Sequence, residues 1–150
     1  MHEVASSLGL EVVELAFHSR GKHSLLRIDI DRAGPRGVGL QDCEALSRAL
    51  DARLESIDLF EAPYELQVSS PGLDRPIRTK DDLRRNEGRI VRAEFLDEDG
   101  RGREVVGVLL AAAEGLVRVD DDGTVVEIPG DRISLLKQSL APKGRRPQDR

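Results

Sequence analysis

The run Ser69-Ser70-Pro71-Gly72-Leu73-Asp74-Arg75-Pro76 gathers hydroxyls, a carboxylate and a guanidinium within eight positions of this 150-residue chain. Ser70 and Asp74 could be read as a nucleophile and its acid partner. A serine becomes nucleophilic at neutral pH only beside a base, and the sequence supplies neither a nucleophile-elbow motif nor an identifiable histidine for that task. His2, His18 and His23 fall in a terminus, a strand end and a hairpin, without the spacing of metal ligands. Asp120-Asp121-Asp122-Gly123 opens like a calcium loop, but the twelfth position, where an EF-hand needs Glu, is Asp131. Gly34-Pro35-Arg36-Gly37-Val38-Gly39 lacks both the Gly-Lys-Ser/Thr end of a Walker loop and the context of a dinucleotide fingerprint, and reads as a connector. Cys43 is the one cysteine, so an internal disulfide and a cysteine-based structural zinc site within one chain are excluded. No catalytic residue, cofactor or metal is expected, and the chain reads as a non-enzyme.

Charge points instead to binding. The net charge is −5, but it is unevenly spread: residues 1–76 hold 8 Lys or Arg against 13 Asp or Glu, whereas residues 77–150 hold 15 of each. Arg75, Arg78, Lys80, Arg84, Arg85, Arg89 and Arg92 stand against Asp81, Asp82 and Glu87, and the tail from Lys137 to Arg150 is basic as well. Phe17, Phe60, Phe95 and Tyr64 are too few, and too embedded in apolar patterns, for a base-stacking platform, so contact with RNA would be mostly to phosphates. Arg84 and Arg85 could equally be paired with Asp81 and Asp82 on a solvated helix face. No stretch reaches the roughly 18 apolar residues of a membrane span, and Met1-His2-Glu3-Val4 lacks a signal-peptide pattern, so a cytoplasmic location is expected.

The elements that must position these residues follow from periodicity. Val13, Leu15 and Phe17 alternate with polar residues, as do Leu26, Ile28 and Ile30, predicting two strands joined by a hairpin loop at Ser19-Arg20-Gly21-Lys22. Cys43, Leu46, Leu50, Leu54 and Ile57 recur at helical spacing. After Pro63, Tyr64, Leu66 and Val68 predict a third strand, and Met1 to Leu8 leave room for about two turns of opening helix. Beyond Pro76, Thr79 caps a short helix through Arg85 that stops at Gly88. Strand-like runs then cover Arg89–Leu96, Glu104–Ala111, Gly115–Asp120, Thr124–Ile128 and Ile133–Leu136, a spacing typical of a small closed or nearly closed β-barrel.

The chain is thus expected to be α+β. A two-layer helix-strand-strand-helix-strand domain spans 1–70, a rigid linker 71–77, a β-barrel 78–138 and a flexible basic tail 139–150. Pro71 and Gly72 suit the middle of a type II turn, and Pro76 restricts Arg75 to extended backbone, so these three residues are assigned to linker geometry. Asp74, Arg75, Arg78, Arg84, Arg85, Arg89 and Arg92 are the candidates for touching a partner.

The stretch Tyr64–Pro76 resembles the signature of the ribosome maturation factor RimP family. The resemblance extends to Ile28-Asp29-Ile30-Asp31, to Asp42-Cys43-Glu44 with Ser47, and to Gly88, Gly107 and Ile128-Pro129. It implies an N-terminal domain with a KH-like layout, followed by an Sm-like or SH3-like barrel. It further implies a role in late maturation of the small (30S) ribosomal subunit by a monomeric factor that binds free or immature particles. The partners so implied are 16S rRNA and a small-subunit ribosomal protein near the decoding centre. The KH mechanism is not implied, because no Gly-X-X-Gly loop stands between helices. Two positions depart from the family pattern: the opening helix is short, and Gly39 replaces a Ser or Thr cap, which should cost a few tenths of a kcal/mol. A general RNA-binding module and an enzyme acting through Ser70 and Asp74 are the alternatives of other classes.

Overall fold

The computed structural model describes residues 1–57 and 63–140, with Arg20 described by its backbone alone; the basic tail expected from sequence lies, for 141–150, outside the described residues. The chain divides into two compact units. One comprises Met1–Arg32 and Arg36–Pro71, and the other comprises Ala33–Pro35 and the chain from Gly72 onward.

The first unit runs α1 (His2–Ser7), β1 (Glu11–Arg20), β2 (His23–Asp31), α2 (Leu40–Ile57) and β3 (Tyr64–Ser69). β2 is central, antiparallel to β1 and parallel to β3. A parallel pair requires a crossover, which α2 provides. Leu46, Leu50 and Leu54 of α2 are buried in one cluster with Leu26, Ile28 and Ile30 of β2, together with Ala5 and Leu10. Cys43 packs against the same cluster, half-buried, and burial, with the Asp42 charge next, pushes its thiol above the ordinary value. It behaves as the small hydrophobe its place on the stripe predicts.

The start of α2 compensates for Gly39. The Gly39 amide donates to the Asp42 carboxylate at 2.9 Å, and Arg32 donates to both Asp42 oxygens at 3.3 and 3.0 Å. The Gly39 amide, followed by Arg32, holds the Asp42 carboxyl below its ordinary value.

β1 departs from the simple alternation expected of it. Its register on β2 shifts between Val12 and Glu14, so Val13 is an extra residue, Val12 lies opposite Ile30, and Leu15 and Phe17 lie opposite Ile28 and Leu26. Because β1 is an edge strand, Leu15 and Phe17 remain 51% and 50% exposed while the β2 residues opposite them are buried.

The second unit contains α3 (Lys80–Asn86) and strands β4 (Ile90–Leu96), β5 (Gly102–Leu109), β6 (Leu116–Asp121), β7 (Thr124–Pro129) and β8 (Ile133–Gln138). Of the small closed or nearly closed β-barrel expected, the pairing shows a five-stranded antiparallel sheet. The strands form one antiparallel sheet in the order β7-β6-β5-β4-β8, and no pairing joins β7 to β8 among the described residues. Ile77 donates its amide to the Leu136 carbonyl at 2.7 Å and Pro76 bridges to Lys137, so the incoming chain pairs with one end of the β8 edge. All five strands nevertheless contribute to a single core, with Val91, Ala93, Val105, Leu109, Val117, Val119, Ile128 and Leu136 buried around Ile77.

To serve one core the sheet must bend, and at Gly107 β5 runs close against the backbone of β6. A Cβ there would lie 2.3 Å from the Asp120 carbonyl oxygen and 2.8 Å from its carbon. Glycine in a strand interior costs stability unless close approach requires it. Gly107→Ala is therefore expected to destabilise the second unit by about 1–3 kcal/mol through overpacking against immovable backbone. Urea unfolding of the purified chain checks this; an unchanged midpoint would show that the β5–β6 approach tolerates a side chain.

Candidate partner-binding site

The residues singled out by charge cluster around α3. Thr79 is its N-cap: the Thr79 hydroxyl accepts from the Asp82 amide at 3.0 Å, while the Asp82 carboxylate accepts from the Thr79 and Arg78 amides, each at 3.0 Å. This is a capping box, with two donors of the first turn satisfied reciprocally. Asp82 is buried and also accepts from the Arg85 guanidinium, itself only 8% exposed, while Asn86 donates to the Asp82 carbonyl at 2.8 Å. Burial pushes the Asp82 carboxyl up, but the Arg78 and Thr79 donors and the Arg85 charge outweigh it and hold the group below its ordinary value.

The polar cluster continues into Ala33–Pro35, which belong to the second unit. Gly34 donates its amide to the Arg85 carbonyl at 3.1 Å and accepts from Arg89 Nε at 2.8 Å. Arg89, likewise buried, reaches Asn86 Oδ1 at 3.4 Å. Gly88 takes φ +83°, the left-handed stop expected of it, and a Cβ there would meet Pro35 Cγ at 2.9 Å. The three residues form a strap over the end of α3.

The seven partner-binding candidates therefore fall into distinct settings. Arg85 and Arg89 are buried and engaged in holding α3, Asn86 and the strap. Arg92 is half-exposed on β4 and paired with Glu94 and with Glu104, the latter at 3.0 Å. Arg78 and Arg84 are exposed, as is Lys80 between them; Arg84 lies 3.5 Å from Asp81. Arg75 is half-buried, and Asp74 is fully exposed with Lys137 Nζ at 3.8 Å. The structure thus brings Arg78, Lys80 and Arg84 to the surface of one short segment and removes Arg85 and Arg89 from it. In the linker, Gly72 takes φ +80°, the chain turns at Leu73 and Asp74, and Pro76 is tied to β8.

The hydroxyl of Ser69 is committed in the first unit. It donates to buried Asp29 at 2.8 Å, and the same carboxylate accepts from Arg27 Nε at 3.2 Å. No group of three or more His, Cys, Asp or Glu among the described residues could hold a metal ion, and no helix among them is long and apolar enough to cross a membrane.

A three-stranded α/β unit followed by a five-stranded antiparallel unit, with a basic segment that exposes Arg78, Lys80 and Arg84, describes a two-part α+β protein. Residues 1–74 match the RimP N-terminal domain family. Over 131 residues, covering 87% of this chain and 85% of its relative, the sequence is 38% identical to the ribosome maturation factor RimP of Nostoc sp. strain PCC 7120. The chain belongs to the RimP family of ribosome maturation factors.

Neighbouring arginines should respond oppositely to truncation. Arg85→Ala leaves buried Asp82 without its cation and is expected to cost about 3–5 kcal/mol. Arg84→Ala, at an exposed pair, should cost less than about 1 kcal/mol. Urea denaturation of both variants measures the contrast, and equal losses would refute the assignment. Because the folded Asp82 value is depressed, its contribution is fully present above the ordinary 3.8 and is lost as pH falls through the lower folded value. The stability gap between the parent and Asp82→Asn should therefore stay constant above the ordinary 3.8 and shrink as pH falls from there through the lower folded value.

Proposed function

We propose that this factor acts in the cytoplasm on the small (30S) ribosomal subunit, as a non-enzymatic monomer that binds free or immature particles. The first unit would take a KH-like layout and the second an Sm-like or SH3-like one, in which the first strand of the sheet pairs with both the second and the last. Its contacts would be phosphates of 16S rRNA and a small-subunit ribosomal protein near the decoding centre.

The observation that carries the RNA contact is the sorting of one basic run into an exposed set and a buried set. Arg78, Lys80 and Arg84 face solvent, whereas Arg85 and Arg89 are spent on fixing the segment that displays them. Cations held on an anchored helix meet phosphates without first ordering a loop, which reduces the entropic cost of binding. Asp74 and Arg75 precede this set at the turn that leads into the second unit and complete the proposed contact region. Arg92, flanked by two carboxylates, would contribute only where a partner displaces one of them. The factor would act by holding one conformation of the particle, which requires tighter binding to that state than to its alternatives.

Two measurements test this reading. Deleting the gene should cause small-subunit precursors to accumulate on gradients and slow the processing of small-subunit RNA; normal profiles in a verified null would sink it. Reversing Lys80 and Arg84 together to Glu should weaken binding to immature particles and reduce the salt dependence by about one logarithmic unit per lost phosphate contact. The fold should persist, since both side chains are exposed. Equal affinity and salt slope for unrelated RNA would instead favour a general RNA-binding module.

A further inference from the structure

The first unit is acidic as a whole, yet none of its Asp or Glu residues falls between Leu15 and Ile28, which make up most of the β1–β2 hairpin. That stretch holds Arg20, Lys22 and Arg27 together with His18 and His23. Arg27 is committed, its Nε lying 3.2 Å from Asp29. Lys22 is exposed in the turn, where Gly21 takes φ +57°, and makes no ion pair among the described residues. His18 and His23 flank the turn and are exposed as well. β3 pairs with β2 only from Ser24 onward, so the turn projects past the start of that pairing.

The helices leave the same end of β1 uncovered. α2 packs toward β3, and α1 packs against the start of β1. Leu26 of β2 is therefore buried, whereas Phe17, its partner across the pair, is 50% exposed and Leu15 51%. The nearest acids lie elsewhere. Burial, and then the charges of Asp51 and Glu55, push the Tyr64 hydroxyl up, which puts those two α2 carboxylates beside β3. Glu65 of β3 stands opposite Leu25, on the other face of the sheet from Phe17.

An aromatic ring accessible to solvent, a cation on the same hairpin and no carboxylate along the stretch between them match what a single-stranded nucleic acid presents. Each nucleotide brings a π-face, which stacks whatever the base, and a phosphate, which an ammonium meets as a point charge. Phe17 stands three strand residues, about 10 Å, from the turn, so ring and ammonium meet different nucleotides of one strand. From this arrangement we infer that the β1 side of the hairpin is a second RNA contact, taking a single-stranded segment that stacks one base on Phe17 and sets a phosphate against Lys22. Leu15 extends the apolar surface beside the stacked base. The inference deepens the RNA reading by adding a contact in the first unit, and rests on it for its biological setting.

The test uses the full chain, isotope-labelled for amide spectra, with an eight-uridine RNA as the probe. Saturable shifts of the Phe17, His18 and Lys22 amides are expected. Measured at those amides, Phe17→Ala and Phe17→Leu should each weaken binding by about fivefold or more, the worth of one lost stack, and leave the salt dependence unchanged. Lys22→Gln should weaken binding and lower the salt slope by about 0.7, the single-strand value for one phosphate. Because Phe17→Leu keeps the apolar bulk at the edge of the sheet, full binding by that variant would show that no base stacks there and would overturn the proposal. Absence of saturable shifts, undiminished binding by Phe17→Ala or an unchanged slope in Lys22→Gln would overturn it too. Tighter binding of a capped octapeptide of alternating aspartate and valine to the same amides would assign the hairpin to a protein partner, with the same result. A normal precursor profile in the deletion strain would sink the small-subunit reading and leave the hairpin contact standing. Missing hairpin shifts, with Lys80 and Arg84 still needed for binding to immature particles, would do the reverse.

Discussion

A carboxylate buried without donors would ionise only at large cost, and Asp82 escapes that cost by collecting donors from three directions. The amides of Arg78 and Thr79 come from the chain entering α3, and the guanidinium of Arg85 comes from one turn further along. Satisfying this one group fixes where α3 starts and which face it turns inward. It also fixes where Arg85 offers its carbonyl to Gly34 and where Asn86 meets Arg89. The exposed cations on the same helix owe their placement to that arrangement, since a seven-residue helix is too short to be stable by propensity alone. The solvent-facing charge and the buried charge are thus two outcomes of a single packing choice.

Much of this was legible in the residues. The three-to-four-residue period of Cys43, Leu46, Leu50 and Leu54 marked α2 because apolar burial on one face imposes it. Thr79 marked a helix start as an N-cap, and the structure adds Asp82 three positions on as the reciprocal partner of that cap. What could not be read was which of two adjacent arginines faces inward. Arg84 and Arg85 each have an acid three residues earlier, Asp81 and Asp82, and local spacing treats the two pairs alike. Tertiary packing breaks the tie, burying one pair and leaving the other in solvent. The strap at Ala33–Pro35 was equally hidden: its glycine and proline signalled a connector, but nothing local indicates that Gly34 bonds to Arg89, 55 positions away.

The two other differences have the same origin. In β1, one extra residue at Val13 displaces the alternation, and periodicity read across a bulge assigns Val13 to a face that Val12 occupies. In the second unit, five short strands around one core satisfied the pattern for a small barrel, yet which backbone reaches the β8 edge is not written in that pattern. Pro76 and Ile77 reach it, and their claim on Leu136 and Lys137 was invisible in a pattern of side-chain types.

The strap has a consequence for synthesis on the ribosome. Arg89 bonds to a residue made 55 positions earlier, and elongation at about 5–20 residues per second puts several seconds between the two. For that interval Gly34 and Pro35 have no site to occupy, whatever the first unit around them has already done. The second unit therefore incorporates an older piece of chain, and its polar cluster forms by a long-range step instead of a local one. A factor of the machinery that builds ribosomes has in this way a folding step timed by the order in which a ribosome delivers its chain.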